Sequence, residues 1–160
     1  MTSQSASKAN ACRVFLVDDH PFVRRGLTVL VNFEPDLEVC GEAADVIPAL
    51  AGIRDLRPDI AIVDLTLKHG SGLDLISQLR DECPRVRILV VSMHDQAQWI
   101  VRALRAGAHG YVTKDESPGQ LINALRETLQ GKRYLSTRAA ECLSAQGHHD
   151  QTAGNPHLGC

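Results

Sequence analysis

Asp59-Ile60-Ala61-Ile62-Val63-Asp64-Leu65-Thr66-Leu67 decides the reading of this chain, because a short apolar run there delivers a single carboxylate at its end. Ile60 to Val63 are too few for a buried helix and rich in β-branched side chains, which predicts a central parallel strand covered on both faces. An unpaired charge inside such a strand is costly, so Asp64 is expected at the rim where strand becomes loop. In open parallel sheets ligands bind at that rim.

Upstream, Arg13-Val14-Phe15-Leu16-Val17 reads as a second apolar strand that ends in Asp18-Asp19-His20-Pro21. Pro21 suits the first turn of a helix, and Asp19 or His20 is expected to cap it. Phe22, Val23, Leu27, Leu30 and Val31 recur at helical spacing and predict an amphipathic helix from Pro21 to about Phe33. Glu34-Pro35-Asp36 breaks it, Leu37 to Ala43 alternates like a strand nearer the sheet edge, and Val46 to Leu56 predicts a weaker helix ended by Pro58.

Downstream of Asp64, Lys68 to Gly72 reads as a loop, and Leu73, Leu75, Ile76 and Leu79 mark a third helix ending near Cys83-Pro84. Arg85 to Val91 predicts a fourth strand that delivers Ser92. Asp95 is expected to cap a fourth helix containing Ile100, Val101 and Leu104, which stops at Gly107. His109 to Thr113 predicts a fifth strand delivering Lys114, and Ser117-Pro118 opens a fifth helix (Leu121, Ile122, Leu125, Leu129) closed by Gly131. Strands alternating with helices imply right-handed crossovers and a parallel sheet with helices on both faces. Asp18, Asp19, Asp64, Ser92 and Lys114 then converge on one rim.

Three crowded carboxylates repel, so either one is protonated or a cation sits among them. Oxygen ligands without Cys point to Mg²⁺ or Mn²⁺. A hard cation, a free carboxylate, a hydroxyl and a lysine suit phosphoryl transfer, in which the protein mainly positions the group and neutralises its charge. A carboxylate such as Asp64 can itself be the nucleophile. Lys114 and the metal would hold the phosphoryl oxygens, and Ser92 would donate a hydrogen bond to one of them.

The 160 residues, 44% hydrophobic and 22% charged, fit one ordinary globular domain, and a net charge of −2 gives no reason to expect nucleic-acid binding by this chain. No apolar run approaches the ~18 residues of a membrane span. Residues 1–11 are polar and Ser-rich and read as a disordered tail without the apolar segment of a signal peptide. Five cysteines without a Cys-x-x-Cys pair fit free thiols in a reducing cytosol, with no disulfide frame and no zinc site. His148, His149, His157 and Cys160 lie in polar sequence that reads as a disordered tail rather than a metal site.

Leu16-Val17-Asp18-Asp19-His20, Val63-Asp64-Leu65, Gly72, Val91-Ser92 and Tyr111-Val112-Thr113-Lys114 together resemble the receiver domain of two-component response regulators. The resemblance covers residues 12–135 and implies a flavodoxin-like (βα)5 fold, an α/β sandwich with a five-stranded parallel sheet of order 2-1-3-4-5. It further implies that Asp64 accepts a phosphoryl group from a sensor histidine kinase. Asp19, Asp64 and the Thr66 carbonyl would ligate Mg²⁺, with Asp18 acting through a water. Ser92 and Tyr111 occupy the positions of the family's coupled switch residues, so Ser92 moving toward the phosphoryl group would let Tyr111 rotate inward and change the face formed by the fourth helix, fifth strand and fifth helix. Alone, Tyr111 reads as a half-buried strand aromatic, and the Thr66 side chain as uninformative.

Ser92-Met93-His94-Asp95, Ala103 to Tyr111 and Gly131 to Ser136 are similar to the NarL/FixJ (LuxR-type) group, whose members continue into a DNA-binding helix-turn-helix. Residues 136–160 are too short for that domain, do not resemble it, and read as linker and tail beginning with a helix, as in a truncated regulator. DNA is therefore a partner only through an absent output domain, and dimerisation is implied by the resemblance alone. Lys68 and Gly70 depart from the family's usual Pro and apolar residue, so the loop after Asp64 is expected to be more mobile than usual. A cytoplasmic signalling protein rather than an enzyme is the reading, with a stand-alone receiver acting through protein contacts as the alternative. An Asp-nucleophile phosphatase would resemble Asp-x-Asp, whereas Thr66 stands two after Asp64. A nucleotide-binding sheet would need a Gly-rich turn where Asp18-Asp19 stand.

Overall fold

A computed structural model describes residues 8–153, with side chains described through residue 145. Strands β1 (Cys12–Val17), β2 (Leu37–Ala43), β3 (Ile60–Val63), β4 (Arg87–Ser92), β5 (Gly110–Thr113) and β6 (Tyr134–Leu135) form one sheet, β2-β1-β3-β4-β5-β6, with every described pairing parallel. The expected order of five strands is present and is extended by β6, a strand the sequence reading did not anticipate. Gly131-Lys132-Arg133 precedes Tyr134-Leu135, so the two apolar residues lie among loop-forming and charged ones and carry no visible period.

Alternate residues of each strand face opposite sides, which splits the core in two. Val14, Leu16, Ile60, Ile62, Leu89, Val91 and Val112 face helices α1 (Pro21–Asn32) and α5 (Pro118–Leu129), where Leu27, Val31, Leu121, Ile122 and Leu125 meet them. Phe15, Val17, Ala61, Val63, Ile88, Val90 and Tyr111 face α2 (Val46–Leu56), α3 (Gly72–Glu82) and α4 (Ala97–Ala106). A sixth helix, α6 (Thr137–Ala153), adds Ala139 to that second layer and packs against α4 and β5. Ser136 and Ala139 are fully buried there, and Cys142 and Leu143 lie against the same layer. His148 and His149 fall within the α6 backbone, whereas His157 and Cys160 lie outside the described residues. Among the described residues, Cys12, Cys40, Cys83 and Cys142 are free thiols, and no helix is long and apolar enough to cross a membrane.

The ends of the expected tail and helices differ in detail. Lys8, expected within the N-terminal tail, is tied down: its Nζ donates to the carbonyls of Asn32, Glu34 and Leu37, and its backbone N donates to Glu38 Oε1. His20 occupies the cap position of α1 without capping through its side chain. Asp95 does not cap α4, which Gln96 precedes; it pairs instead with Arg138 of α6 at 2.6 Å. Ser117 does cap α5, accepting from Gln120 N at 3.3 Å.

The segment after Asp64 is a folded corner rather than a loose loop. Thr66–Leu67 and Gly70–Ser71 pair antiparallel, Leu65 and Leu67 are buried, and the imidazole of His69 bonds Asp45 at the start of α2. Val46 and Asp45 lie against this turn at Gly70 and His69. Gly72 closes the corner: its N donates to Leu65 O at 2.9 Å, and a Cβ there would stand 2.3 Å from Asp64 O and 2.7 Å from Leu65 Cα. Both obstacles are backbone, so they cannot swing aside.

Gly72→Ala is expected to destabilise the chain by about 2 kcal/mol or more through overpacking, read as a lower urea midpoint at unchanged slope. His109 supplies a pH-dependent contribution. Its Nδ1 accepts from Ile88 N at 3.0 Å, which requires the neutral ring, and burial, with Arg87 and Arg133 adding to it, holds its pKa below the ordinary histidine value. The unfolded chain therefore takes up that proton first. This contribution is complete above pH ~6.5 and declines as pH falls below it. Melting temperature should drop between pH 7 and 5.5, and His109→Gln should flatten part of that drop.

Candidate functional site

Register brings the acids together. Val17 of β1 lies opposite Val63 of β3, so the next residues, Asp18 and Asp64, emerge side by side at the end of the sheet. Asp64 N donates to Val17 O at 2.9 Å, and Asp18 N to Ala43 O at 3.1 Å, which fixes both backbones. On the other side Ser92 pairs with Thr113, and Lys114 N donates to Ser92 O at 2.8 Å. The Lys114 ammonium then reaches across the rim and sits 3.0 Å from both Asp18 Oδ2 and Asp64 Oδ2.

One ammonium faces three carboxylates. Asp18 and Asp64 are each only 3% exposed, and Asp19 is partly so. Burial holds the Asp64 carboxyl above its ordinary pKa, with Asp18 adding repulsion and Lys114 offsetting part of it. Burial works against the Lys114 charge as well, but its bonds to Asp18 and Asp64 outweigh that and hold its pKa above the usual lysine value.

His20 joins the cluster, a contribution the sequence reading assigned only to capping. Its backbone N donates to Asp18 Oδ1 at 2.8 Å, and its Nδ1 lies 3.0 Å from both Asp18 Oδ1 and Asp19 Oδ1. The hydrogen bond of that nitrogen goes to Asp18, so Asp19 Oδ1 is left buried without a hydrogen-bond partner. Ligand atoms of Asp18, Asp19, His20 and Asp64 all fall within 4.8 Å of one another. A buried orphan oxygen in a cluster with excess negative charge fits a divalent cation with oxygen ligands.

Ser92 and Tyr111 stand one step behind the acids. Ser92 is fully buried, with its Oγ accepting from His94 N at 3.1 Å. Tyr111 is fully buried rather than half-buried, and its hydroxyl donates to the His94 carbonyl at 2.5 Å. Burial pushes the phenol pKa up to about 12. Tyr111 thus points inward in this structure, the orientation to which the expected rotation leads. The Thr66 side chain, expected to carry no information, lies 2.7 Å from His94 Nε2. The site contacts of His20 and His94 leave no periodic trace in sequence; only the position of His20 beside the acid pair signals it.

Fold and rim together define a flavodoxin-like α/β domain with a carboxylate and lysine site at its strand ends. The profile of the response regulator receiver domain matches residues 14–126, and the chain belongs to that family. It is 40% identical over 134 residues to the DNA-binding transcriptional activator DevR/DosR of Mycobacterium tuberculosis, covering 84% of this chain and 62% of that protein. The chain spans about three fifths of the length of the curated relatives it matches. Among solved structures, a LuxR-family two-component response regulator from Aurantimonas sp. SI85-9A1 superposes with a TM-score of 0.83 at 36% identity, covering 86% of this chain and 99% of that one. RcsB, solved as two dimers bound to two parallel DNAs, superposes with a TM-score of 0.78 at 26% identity over 84% of this chain and 69% of its own.

Ionised Asp64 costs stability in the metal-free chain, because its folded pKa is raised: the loss sets in as pH rises from the ordinary carboxylate pKa of ~3.9 through the raised folded value and persists at neutral pH. Asp64→Asn should therefore melt higher than the native chain at pH 7 in chelator. Mg²⁺ should raise the melting temperature of the native chain and leave that of Asp64→Asn and Asp19→Asn nearly unmoved.

Proposed function

We propose that this chain is the phosphoacceptor part of a signalling protein, and that Asp64 takes a phosphoryl group from the phosphohistidine of a sensor histidine kinase. The observation that carries this reading is the placement of the Lys114 ammonium 3.0 Å from both buried carboxylates beside an unpartnered Asp19 oxygen. In the transfer, Asp64 Oδ attacks phosphorus, the P–O bond forms, the P–N bond to the donor imidazole breaks, and that imidazole keeps the electron pair and gains a proton. Asp19, Asp64 and the Thr66 carbonyl would hold Mg²⁺ or Mn²⁺, with Asp18 acting through a water. When bound, the ion supplies charge neutralisation to the phosphoryl oxygens.

This chain's own residues do the remaining work. Lys114 exchanges a carboxylate partner for a phosphoryl oxygen, and Ser92 donates to another. The corner from Thr66 to Gly72 keeps Asp64 in place, and Phe22, 91% exposed at the first turn of α1, offers apolar surface beside the rim for the kinase. The chain is consumed and restored stoichiometrically, so it acts as a switch and not as an enzyme. Residues 12–135 form the receiver unit, with α6 leading toward an output segment.

By analogy with DevR/DosR, a DNA-binding transcriptional activator, the output of the whole protein is transcription regulation in the cytoplasm, with DNA contacted through a part outside this chain. Dimerisation, seen in the RcsB structure, is proposed to accompany phosphorylation, with the α4-β5-α5 face conveying the state of Asp64.

Incubation with acetyl phosphate and Mg²⁺ should add one phosphoryl mass to the intact chain. Asp64→Asn should add none, and chelator should abolish labelling of the native chain. Labelling of Asp64→Asn equal to native would refute the assignment. Lys114→Ala should cut the labelling rate by about 100-fold or more, since a missing charge contact at a transferring phosphoryl group costs that much.

A further inference from the structure

His94, in the loop between β4 and α4, touches four parts of the molecule at once. Its backbone N donates to Ser92 Oγ at 3.1 Å, and its backbone carbonyl accepts from the Tyr111 hydroxyl at 2.5 Å. Its ring Nε2 lies 2.7 Å from Thr66 Oγ1, in the corner that carries Asp64. The same ring stacks on Trp99 of α4, with centroids 4.3 Å apart and planes 20° from parallel. Arg102, one turn further along α4, places its guanidinium carbon 5.6 Å from the centroid of the Trp99 ring. The next residue, Asp95, holds α6 through Arg138.

These contacts restrict how the loop can move. A hydroxyl donates and accepts at once, so a Ser92 that donates to a new acceptor at the rim can keep His94 N and draw it along. The ring is held between two fixed points, Thr66 at the rim and Trp99 on the helix, and cannot follow without breaking one contact or shifting α4. The Tyr111 hydroxyl rides on the same residue's carbonyl.

We infer that His94 is the positioning residue that passes the state of Asp64 to α4, through its ring bridge from Thr66 to Trp99. The inference rests on Asp64 being the phosphoacceptor. Ser92 and Tyr111 supply the two ends of the loop movement, and the imidazole supplies the lateral link to the helix surface.

The 160-residue chain with His94→Phe tests this, because phenylalanine keeps a ring on Trp99 and removes the nitrogen that meets Thr66. Acetyl phosphate and Mg²⁺ label native and variant, intact mass gives the labelled fraction, and two readouts report α4: the emission of Trp99, the sole tryptophan, and hydrogen exchange across residues 97–106. Native labelling is expected to change both. His94→Phe is expected to melt and label like the native chain while both responses, per labelled molecule, fall about fivefold. Thr66→Val, which cuts the other end of the bridge, should lose the same response per labelled molecule. Full responses in His94→Phe overturn the inference, as does a native chain that labels with α4 unmoved. A variant that no longer labels places His94 in the acceptor chemistry and also overturns it. If the native chain itself takes no label, the phosphoacceptor reading fails and this one falls with it.

Discussion

Two aspartates packed side by side at 3% exposure, with one ammonium between them, are the constraint on which the rest of the structure depends. Charges taken out of water cost several kcal/mol each unless paired in good geometry, and here the pairing is incomplete. Lys114 answers Asp18 and Asp64, but the buried Asp19 oxygen, with the His20 ring beside it, has no hydrogen-bond partner. Such an arrangement persists only because the backbone overdetermines it. Asp64 is anchored to β1, Asp18 to β2 and Lys114 to β4, so none can withdraw without breaking a parallel ladder. The residual negative charge is then available to a cation and, through it, to an anionic ligand.

The sheet makes that precision affordable. Its two faces bury separate apolar layers, and β3, with all four residues buried, sits at the centre of both. Leu65 and Leu67 continue the apolar packing past Asp64, and Gly72 lets the chain turn back within contact of Asp64's own carbonyl. The carboxylate is thereby held between hydrogen-bonded and buried chain on both sides. The loop after β4 ties several elements together: His94 meets Ser92 at the end of β4 and Tyr111 of β5, and Asp95 meets Arg138 of α6.

The position of α6 gives that loop a second consequence. Asp95 pairs with Arg138, Ser136 Oγ accepts from Ala139 N, and Ser136 N donates to Tyr111 O, so the start of α6 is built onto the same face as Tyr111. Tyr111 is enclosed by this packing and points inward.

Strand and helix order and the delivery of Asp18, Asp19, Asp64, Ser92 and Lys114 to one rim were legible in the sequence by itself, and the order of the first five strands followed from the resemblance to the receiver family. Apolar periodicity and buried strand ends are local signals, and a parallel sheet leaves the strand ends few places to go. Only the tertiary structure decided the sixth strand, the paired corner after Asp64, the burial of Tyr111 and the contacts of His20 and His94. The physical reason is that each of these is settled by partners distant in the chain. His94 meets Thr66 from 28 positions away and Tyr111 from 17, and two apolar residues become a strand only when β5 offers its edge. A side chain whose role is a contact, and not a repeat, has no period to betray it.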